Sequence, residues 1–419
     1  MQKSCKHLLE EVVSLQNVPK MVLFVTGGGG HFFKWMMTTP GASNLLIEAS
    51  IPYDKVASSE LLQKYNVKIP SSYCSEEMAY NLATSALRRA VDLLILREGF
   101  QSESFHQLLG MGTTCSLKTN RPKWGQHCAF ISTISLRYGI RQYYLPLQKD
   151  ILEREEEDKM VSELMTKALA DAVPYSMELS QGLRNACNDQ EVTALPFDSS
   201  EILQNIASGD LSHAVYLSKQ DLWLPAPTIS GWQDRILCIF PGSFSPLHKG
   251  HEQLVEESVR FIQQKYKGKP IEALYEISLL NADKGNFSFD HIYRNAEHFR
   301  QKSCNLLITS HPLFLEKAKL FKGAYFLLGF DTVQRLVDPK YYGKSYENMI
   351  MSLSQIDSFG CRFVVAGRLV EEEYHTLSLE PLFYSNLPTS LHSLFTELPN
   401  FRIDLSSSEI RRARKTEAG

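Results

Sequence analysis

The chain has no C-x-x-C pair, no apolar run of membrane-spanning length, no strong charge of either sign and no low-complexity tract. Each absence narrows the field. Its eight cysteines (Cys5, Cys74, Cys115, Cys128, Cys187, Cys238, Cys304, Cys361) are scattered and fall in apolar contexts such as ILCIF. Buried, reduced thiols in a cytosolic protein, cytoplasmic or nuclear, are therefore expected. With no long apolar run, no membrane span is expected. A formal net charge of -3 offers no general attraction to nucleic acid or anionic membrane, so any bound nucleotide must be held by local basic groups. The opening MQKSCKHLLEEVVSLQNV has the spacing of an amphipathic helix and carries acidic residues, unlike a secretory signal or transit peptide. The phosphate-loop pattern GxxxxGK[ST] is missing, and no internal repeat is visible.

What is present is ordinary globular material, 43% hydrophobic and 22% charged over 419 residues, enough for two or three domains. PKMVLFVTGGGG reads as a buried strand ending in a glycine loop. SEEMAYNLATSALRRAV has helical spacing, DLLILREG reads as a strand, and QHCAFISTISLRYGIRQYYLPL as two more. DILEREEEDKMVSELMTKALADA is a long helix closing an α/β block over 1–172. From 173 to 230 the pattern weakens, and LWLPAPTISGWQD breaks regular structure with prolines and glycine, so a helical or irregular connection is expected there. From 231 to 419 strands (RILCIF, IEALYEISLL, NLLITS, AYFLLG, CRFVVAG, FRIDL) alternate with helices of crossover length, ending in SSSEIRRARK. The fold class is α/β in two domains. The C-terminal one is Rossmann-like and doubly wound around a mostly parallel sheet, with ligands at the strands' carboxyl ends.

One stretch of that second block, IFPGSFSPLHKGHEQL at 239–254, concentrates chemistry. RILCIF delivers the chain to Pro241-Gly242-Ser243-Phe244 at the sheet edge. Gly242 lets the backbone pass close to a ligand, and a helix opening near His251 aims its N-terminal dipole at the same space. His248 and His251, three apart, can present their N–H groups side by side to phosphate oxygens as charge develops on them. A bland reading, one histidine ending a loop and the other capping a helix, would suit an isolated H-x-x-H. The strand–glycine–loop–helix setting favours function.

GSFSPLHKGH resembles the G-x-F-x-P-x-H-x-G-H element of the nucleotidylyltransferases, which move AMP or CMP from a nucleoside triphosphate to a phosphorylated acceptor. Ser245 stands where that family usually has Asp or Asn. In LLGFDTVQRL, Gly329 and Asp331 resemble the G-x-D element of nicotinamide-mononucleotide adenylyltransferases, although Asp331 alone would read as a helix N-cap. IDLSSSEIRRARK resembles their I-S-S-T-x-I-R element, with Ser406, Ser407, Ser408 and Arg411 at the matching places. Ser406 and Glu409 also have capping-box spacing. The resemblance implies ATP bound by Gly242, Ser243, Phe244, Ser245, His251, Gly329, Asp331, Ser406, Ser407 and Ser408. His248, His251 and Arg411 would be its catalytic groups, and Mg²⁺ would ride on the triphosphate. Lys249 and Lys284 read as solvated surface cations.

In the first half, TGG (26–28), PGAS (40–43), IPYDKVASSELL (51–62) and SEEMA (75–79) resemble, in order, elements of the CinA C-terminal domain family, whose active members deamidate nicotinamide mononucleotide. That family's catalytic serine falls on Phe24, its site tyrosine on Tyr53 and its lysine on Ser58, with Lys55 nearby. Phenylalanine offers no nucleophile, although Thr26 keeps a hydroxyl. The expectation is a domain without deamidase chemistry that holds a ligand or serves as a scaffold or homo-oligomerisation surface. For the whole chain the leading expectation is adenylyl transfer from ATP to nicotinamide or nicotinate mononucleotide. One alternative is another phosphorylated acceptor such as phosphopantetheine, or CTP as donor. The other is a nucleotide-binding, ATP-hydrolysing regulatory protein with weak transferase activity.

Overall fold

The computed structural model describes residues 5–15, 17–121, 124–137, 139–149, 151–173, 188–192, 198–228, 234–281, 285–286, 289–370, 373–377, 383–384, 386–399 and 401. It divides into two compact units, Met1–Asp198 and Ser199–Gly419. Both are mixed α/β.

In the first unit the strands are β1 (Lys20–Thr26), β2 (Leu46–Ser50), β3 (Leu108–Ser116), β4 (His127–Ser135), β5 (Gly139–Leu147) and β6 (Asn188–Val192), in the sheet order β2-β1-β3-β4-β5-β6. β1 runs parallel to β2 and β3, and the ladder is antiparallel from β3 onward. One core gathers the faces of Cys5–Val13, Gly30–Met37 and Arg154–Asp171 against this sheet, with Leu9, Val12, Phe32, Met36, Leu164 and Met165 all buried.

The helix Glu76–Glu98 corrects one expectation. DLLILREG, read as a strand, forms its last turns. Buried Ala83, Ala86, Leu87, Ala90, Val91, Leu94 and Ile95 continue a single helical stripe, and only Val91 and Ile95 in that run are β-branched, so period 3.6 wins over period 2. Ser75 caps the start by accepting from the Met78 N–H at 3.1 Å, and Gly99 ends it at φ 80. This helix lies directly on β3, because Gly110 and Gly112 leave room for it. A Cβ at Gly110 would stand 2.3 Å from the Ala83 carbonyl oxygen, and one at Gly112 would stand 2.2 Å from that of Ala79.

In the second unit a hairpin of β7 (His213–Leu217) and β8 (Leu222–Pro225) precedes β9 (Ile236–Pro241) and β10 (Ile271–Ser278). A short ladder pairs β11 (Leu280–Asn281) with β12 (Gly285–Asn286). Then follow β13 (Leu306–Thr309), β14 (Tyr325–Gly329) and β15 (Arg362–Ala366), a second short ladder of β16 (Arg368–Val370) with β17 (Glu373–His375), and β18 (Phe395–Glu397). The main sheet has the order β18-β15-β14-β9-β10-β13-β7-β8, parallel from β18 to β13 and antiparallel at the β7–β8 edge. The chain winds outward one way from β9 through β10 to β13, then returns beside β9 and winds the other way through β14, β15 and β18. That reversal is the topological switch point of a doubly wound sheet, with its crevice beyond the carboxyl ends of β9 and β14.

The stretch 173–230 carries more regular structure than its composition advertises. β6 extends the first sheet, while the helix Ser199–Ser208 and the β7–β8 hairpin belong to the second unit. Among the described residues all seven cysteines are free thiols, and no helix is long and apolar enough to cross a membrane.

Candidate functional site

β9 is buried along Ile236–Phe240 and delivers Pro241 and Gly242 to the switch point. The Gly242 N–H donates to the Glu276 carbonyl at 2.9 Å, tying the loop to the end of β10. The chain then turns inward at Phe244, which has φ 43 and is 1% exposed. Its ring meets Tyr275, Phe299, Phe240 and His251 edge-on at 5.1–5.6 Å. Phe244 is thus a core plug beneath the loop, and only its backbone is placed to meet a ligand. This also revises the reason for Gly242. A Cβ there would sit 2.7 Å from Phe244 Cζ, so the glycine makes room for the plug as well as for a ligand. Gly242→Ala is expected to cost about 1–3 kcal/mol. Urea unfolding tests this, and an unchanged midpoint would show that the ring yields freely.

After the loop, His248 caps the helix Lys249–Lys265 in extended conformation (φ -140, ψ 167). Its N–H donates to His251 Nδ1 at 3.3 Å, and the two imidazoles stack at 3.6 Å between centroids. With Nδ1 accepting, the His251 proton sits on Nε2. Burial, and then the neighbouring His248, push His251 down to about 3, while burial lowers His248 against the raising pull of Glu252. Both rings are therefore neutral near pH 7. His248 Nδ1 is enclosed and makes no hydrogen bond. The pair is a set of pre-oriented, uncharged donors at a helix N-terminus, able to hydrogen-bond anionic oxygens without paying to reorganise.

Beside the loop lies a cavity of about 390 Å³. Pro241, Gly242 and Ser243 form one wall and Tyr341, Tyr342 and Phe314 supply aromatic surface, with Lys317 and Arg335 at its polar end. Its base holds a buried ion pair. Lys317 Nζ donates to Glu276 Oε2 at 2.7 Å and Thr309 Oγ1 donates to Glu276 Oε1 at 2.6 Å, with Lys317 and Glu276 side chains 5% and 1% exposed. The sequence reading missed Glu276 and Lys317. The signal was two carboxylates within one largely apolar strand, IEALYEIS, where Glu272, four residues before Glu276, pairs with Arg235 at 2.9 Å.

The sequence-derived site residues are brought together in part. Gly242, Ser243, Ser245, His248 and His251 share one loop-to-helix junction. Gly329 caps the helix Phe330–Leu336 at the end of β14, with Asp331 in its first turn, and Phe326 pairs with Ile239 of β9. Gly329 and Asp331 therefore lie just beyond the carboxyl end of β14, the strand beside β9. The next residues on that helix, Thr332 and Arg335, line the cavity, whereas the histidines do not. Lys249 is exposed. Lys284, Ser406, Ser407, Ser408 and Arg411 lie outside the described residues.

In the first unit the glycine loop after β1 is already filled. Asp158 accepts at Oδ1 from the Gly29 and Gly30 N–H groups (2.7 and 3.0 Å) and at Oδ2 from the His31 N–H and ring (3.1 and 2.7 Å). Burial alone would raise the Asp158 carboxyl, but the bonds from Gly30, His31 and Gly29 outweigh it and hold it below the usual range. Its stabilising effect is thus present above the unfolded-state value and lost as pH falls through the folded one. Asp158→Asn is expected to lose about 1–2 kcal/mol at pH 7 and less once the pH is below the ordinary Asp value of about 3.9. Equal losses at both would show that shape, and not charge, holds the loop. Deeper in, His127 Nδ1 lies 2.6 Å from Glu157 Oε1 in a fully buried pair. Phe24 is core, 1% exposed. Ser58 is buried and donates to the Pro52 carbonyl at 2.6 Å, whereas Tyr53 stands 66% exposed.

No protein-family model and no curated protein matches the chain. It is similar to several solved structures. One is the competence/damage-inducible protein CihA from Agrobacterium tumefaciens, at 14% identity and TM-score 0.31, over 40% of this chain and 94% of that one. Another is a CinA-superfamily protein from Enterobacter cloacae, at 10% identity and TM-score 0.32, over 42% and 93%. A third is the nicotinic acid mononucleotide adenylyltransferase of Plasmodium falciparum complexed with NaAD, at 16% identity and TM-score 0.26, over 42% and 83%.

Proposed function

We propose that the Ser199–Gly419 unit transfers an adenylyl group from ATP to nicotinamide mononucleotide or nicotinate mononucleotide, giving NAD or its acid precursor and pyrophosphate. The observation that carries the reading is the stacked, neutral His248–His251 pair at a helix N-terminus on the switch point, beside a cavity with aromatic walls. In the reaction the acceptor's phosphate oxygen attacks the α-phosphorus of ATP in line. A new P–O bond forms, the bond to the bridging oxygen breaks, and pyrophosphate leaves with that electron pair. Such transfer needs positioning and charge stabilisation, with no covalent intermediate on the enzyme. The imidazole N–H groups and the helix N-terminus donate to the α- and β-phosphate oxygens. Arg411, Ser406, Ser407 and Ser408 are assigned to the outer phosphates by their sequence pattern alone. The cavity, of ordinary ligand size, takes the acceptor's base against Tyr341 and Tyr342.

Among the described residues no group of three or more His, Cys, Asp or Glu is arranged to hold a metal ion. Mg²⁺ is assigned here to the triphosphate itself, held by phosphate oxygens and water. For the first unit the reading is a ligand-holding or oligomerising domain without deamidase chemistry. Buried Phe24 and the engaged hydroxyl of Ser58 support it.

The test supplies ATP, Mg²⁺ and a panel of phosphorylated acceptors, then measures pyrophosphate and the adenylylated product. Product with a pyridine mononucleotide is expected. Product only with another acceptor, such as phosphopantetheine, would overturn the acceptor. ATP binding with no product from any acceptor would leave a regulatory protein.

A further inference from the structure

We propose that Cys74 and Cys128 form an oxidisable dithiol that a peroxide closes into a disulfide, stapling the start of the helix Glu76–Glu98 to β4. The two sulfurs lie 3.9 Å apart, and both residues are only half-buried, within reach of a small oxidant. Their approach is built in. Cys74 immediately precedes the N-cap Ser75, and its loop is fixed to the sheet by the Thr114 hydroxyl, which donates to the Tyr73 carbonyl at 2.6 Å. Tyr73 is held in turn by Ser59, oxygen to oxygen at 2.6 Å. Cys128 lies on β4 opposite Ser116. Side chains alternate across a sheet, so Cys128 shares the face of Ser116 and Thr114, against which the Cys74 loop is tied.

The same alternation excludes the third nearby thiol. Cys115, between Thr114 and Ser116, projects to the opposite face. It is buried there, with its thiol 3.5 Å from the Thr26 carbonyl. The pairing is therefore specific although three cysteines crowd one region.

The chemistry balances with one named co-reactant, hydrogen peroxide. The thiolate of one cysteine attacks a peroxide oxygen, an S–O bond forms, and the O–O bond breaks. The departing hydroxide takes up a proton as water. The second thiol then attacks that sulfur, the S–S bond forms, the S–O bond breaks, and a second water leaves. Two thiols are oxidised and one peroxide is reduced. Sharing a hydrogen bond with Cys128, together with burial, holds the Cys74 thiol above its ordinary value.

The crosslink would close a separation of 54 residues, which removes freedom from the unfolded chain and is expected to raise the melting midpoint of the oxidised protein by roughly 5 °C or more. The experiment treats the full chain with hydrogen peroxide, blocks remaining thiols with N-ethylmaleimide, and maps non-reduced peptides by mass spectrometry. The expected product is a Cys74–Cys128 peptide pair, lighter by two hydrogen atoms than its parts and abolished by dithiothreitol. It should persist in Cys115→Ala and vanish in Cys128→Ser. Full alkylation of both thiols after peroxide, or a crosslink to Cys115 instead, would overturn the pairing. A crosslink that leaves the midpoint unmoved would overturn the staple. The wild-type map decides the pairing even where a variant folds poorly.

Discussion

Replacing His251 by alanine is expected to lower adenylyl-transfer turnover by about 100-fold or more, while ATP affinity changes much less. The asymmetry follows from the ring's state. Held near a pKa of about 3, His251 is a neutral donor, so its contribution grows as negative charge develops on the α-phosphate oxygens, not in the bound ground state. Unchanged turnover would remove His251 from the mechanism, and an equal loss in ATP affinity would make it a ground-state contact. The same substitution has a second readout. In the unfolded chain a histidine titrates near 6.5. Above that pH neither state carries the proton. Between 6.5 and the folded-state value the unfolded chain binds a proton that the folded ring refuses, so stability falls as pH drops. Buried His213, held at about 4 chiefly by burial, acts with the same sign. His251→Ala should flatten part of that acid slope, and an unaltered slope would place the titration elsewhere.

Removing the ammonium beneath the cavity is expected to destabilise the second unit strongly. In Lys317→Met the Glu276 carboxylate loses its counter-charge and keeps one hydroxyl donor, Thr309. At 1% exposure it has no water to fall back on, and the loss should be about 3–5 kcal/mol in urea unfolding. Pairing Lys317→Met with Glu276→Gln should restore most of it, because the amide removes the stranded charge and can still accept from Thr309. A loss below about 1 kcal/mol for the single variant would mean that the pair is solvated and contributes no more than a surface bridge does.

How far the sequence could be read depended on whether a feature was local. RILCIF, AYFLLG and CRFVVAG are short apolar runs set between helices of crossover length, the pattern of buried parallel strands, and β9, β14 and β15 follow. The histidine junction was legible for the same reason, since loop, cap and i,i+3 spacing lie within a few residues. DLLILREG misled because, cut off from the stretch before it, a short leucine run shows no periodicity of its own, whereas joined to SEEMAYNLATSALRRAV it continues one buried helical stripe. The Asp158 plug joins residues well over a hundred positions apart, as invisible to spacing as the Glu276–Lys317 pair. The spacing around Phe244 was legible, but its orientation was not. The positive φ that sends its ring into the core is a tertiary decision.

The direct seating of the helix Glu76–Glu98 on β3 also constrains how the first unit can drift in sequence. A single methyl at Gly110 or Gly112 meets main-chain atoms, which cannot rotate away as a side chain does. In a saturation library across 108–116, these two positions should tolerate almost nothing, while neighbouring strand residues accept conservative exchange. The spacing between helix and sheet is thus written in two absent side chains, and loss of either would be read first as failed expression and not as altered chemistry.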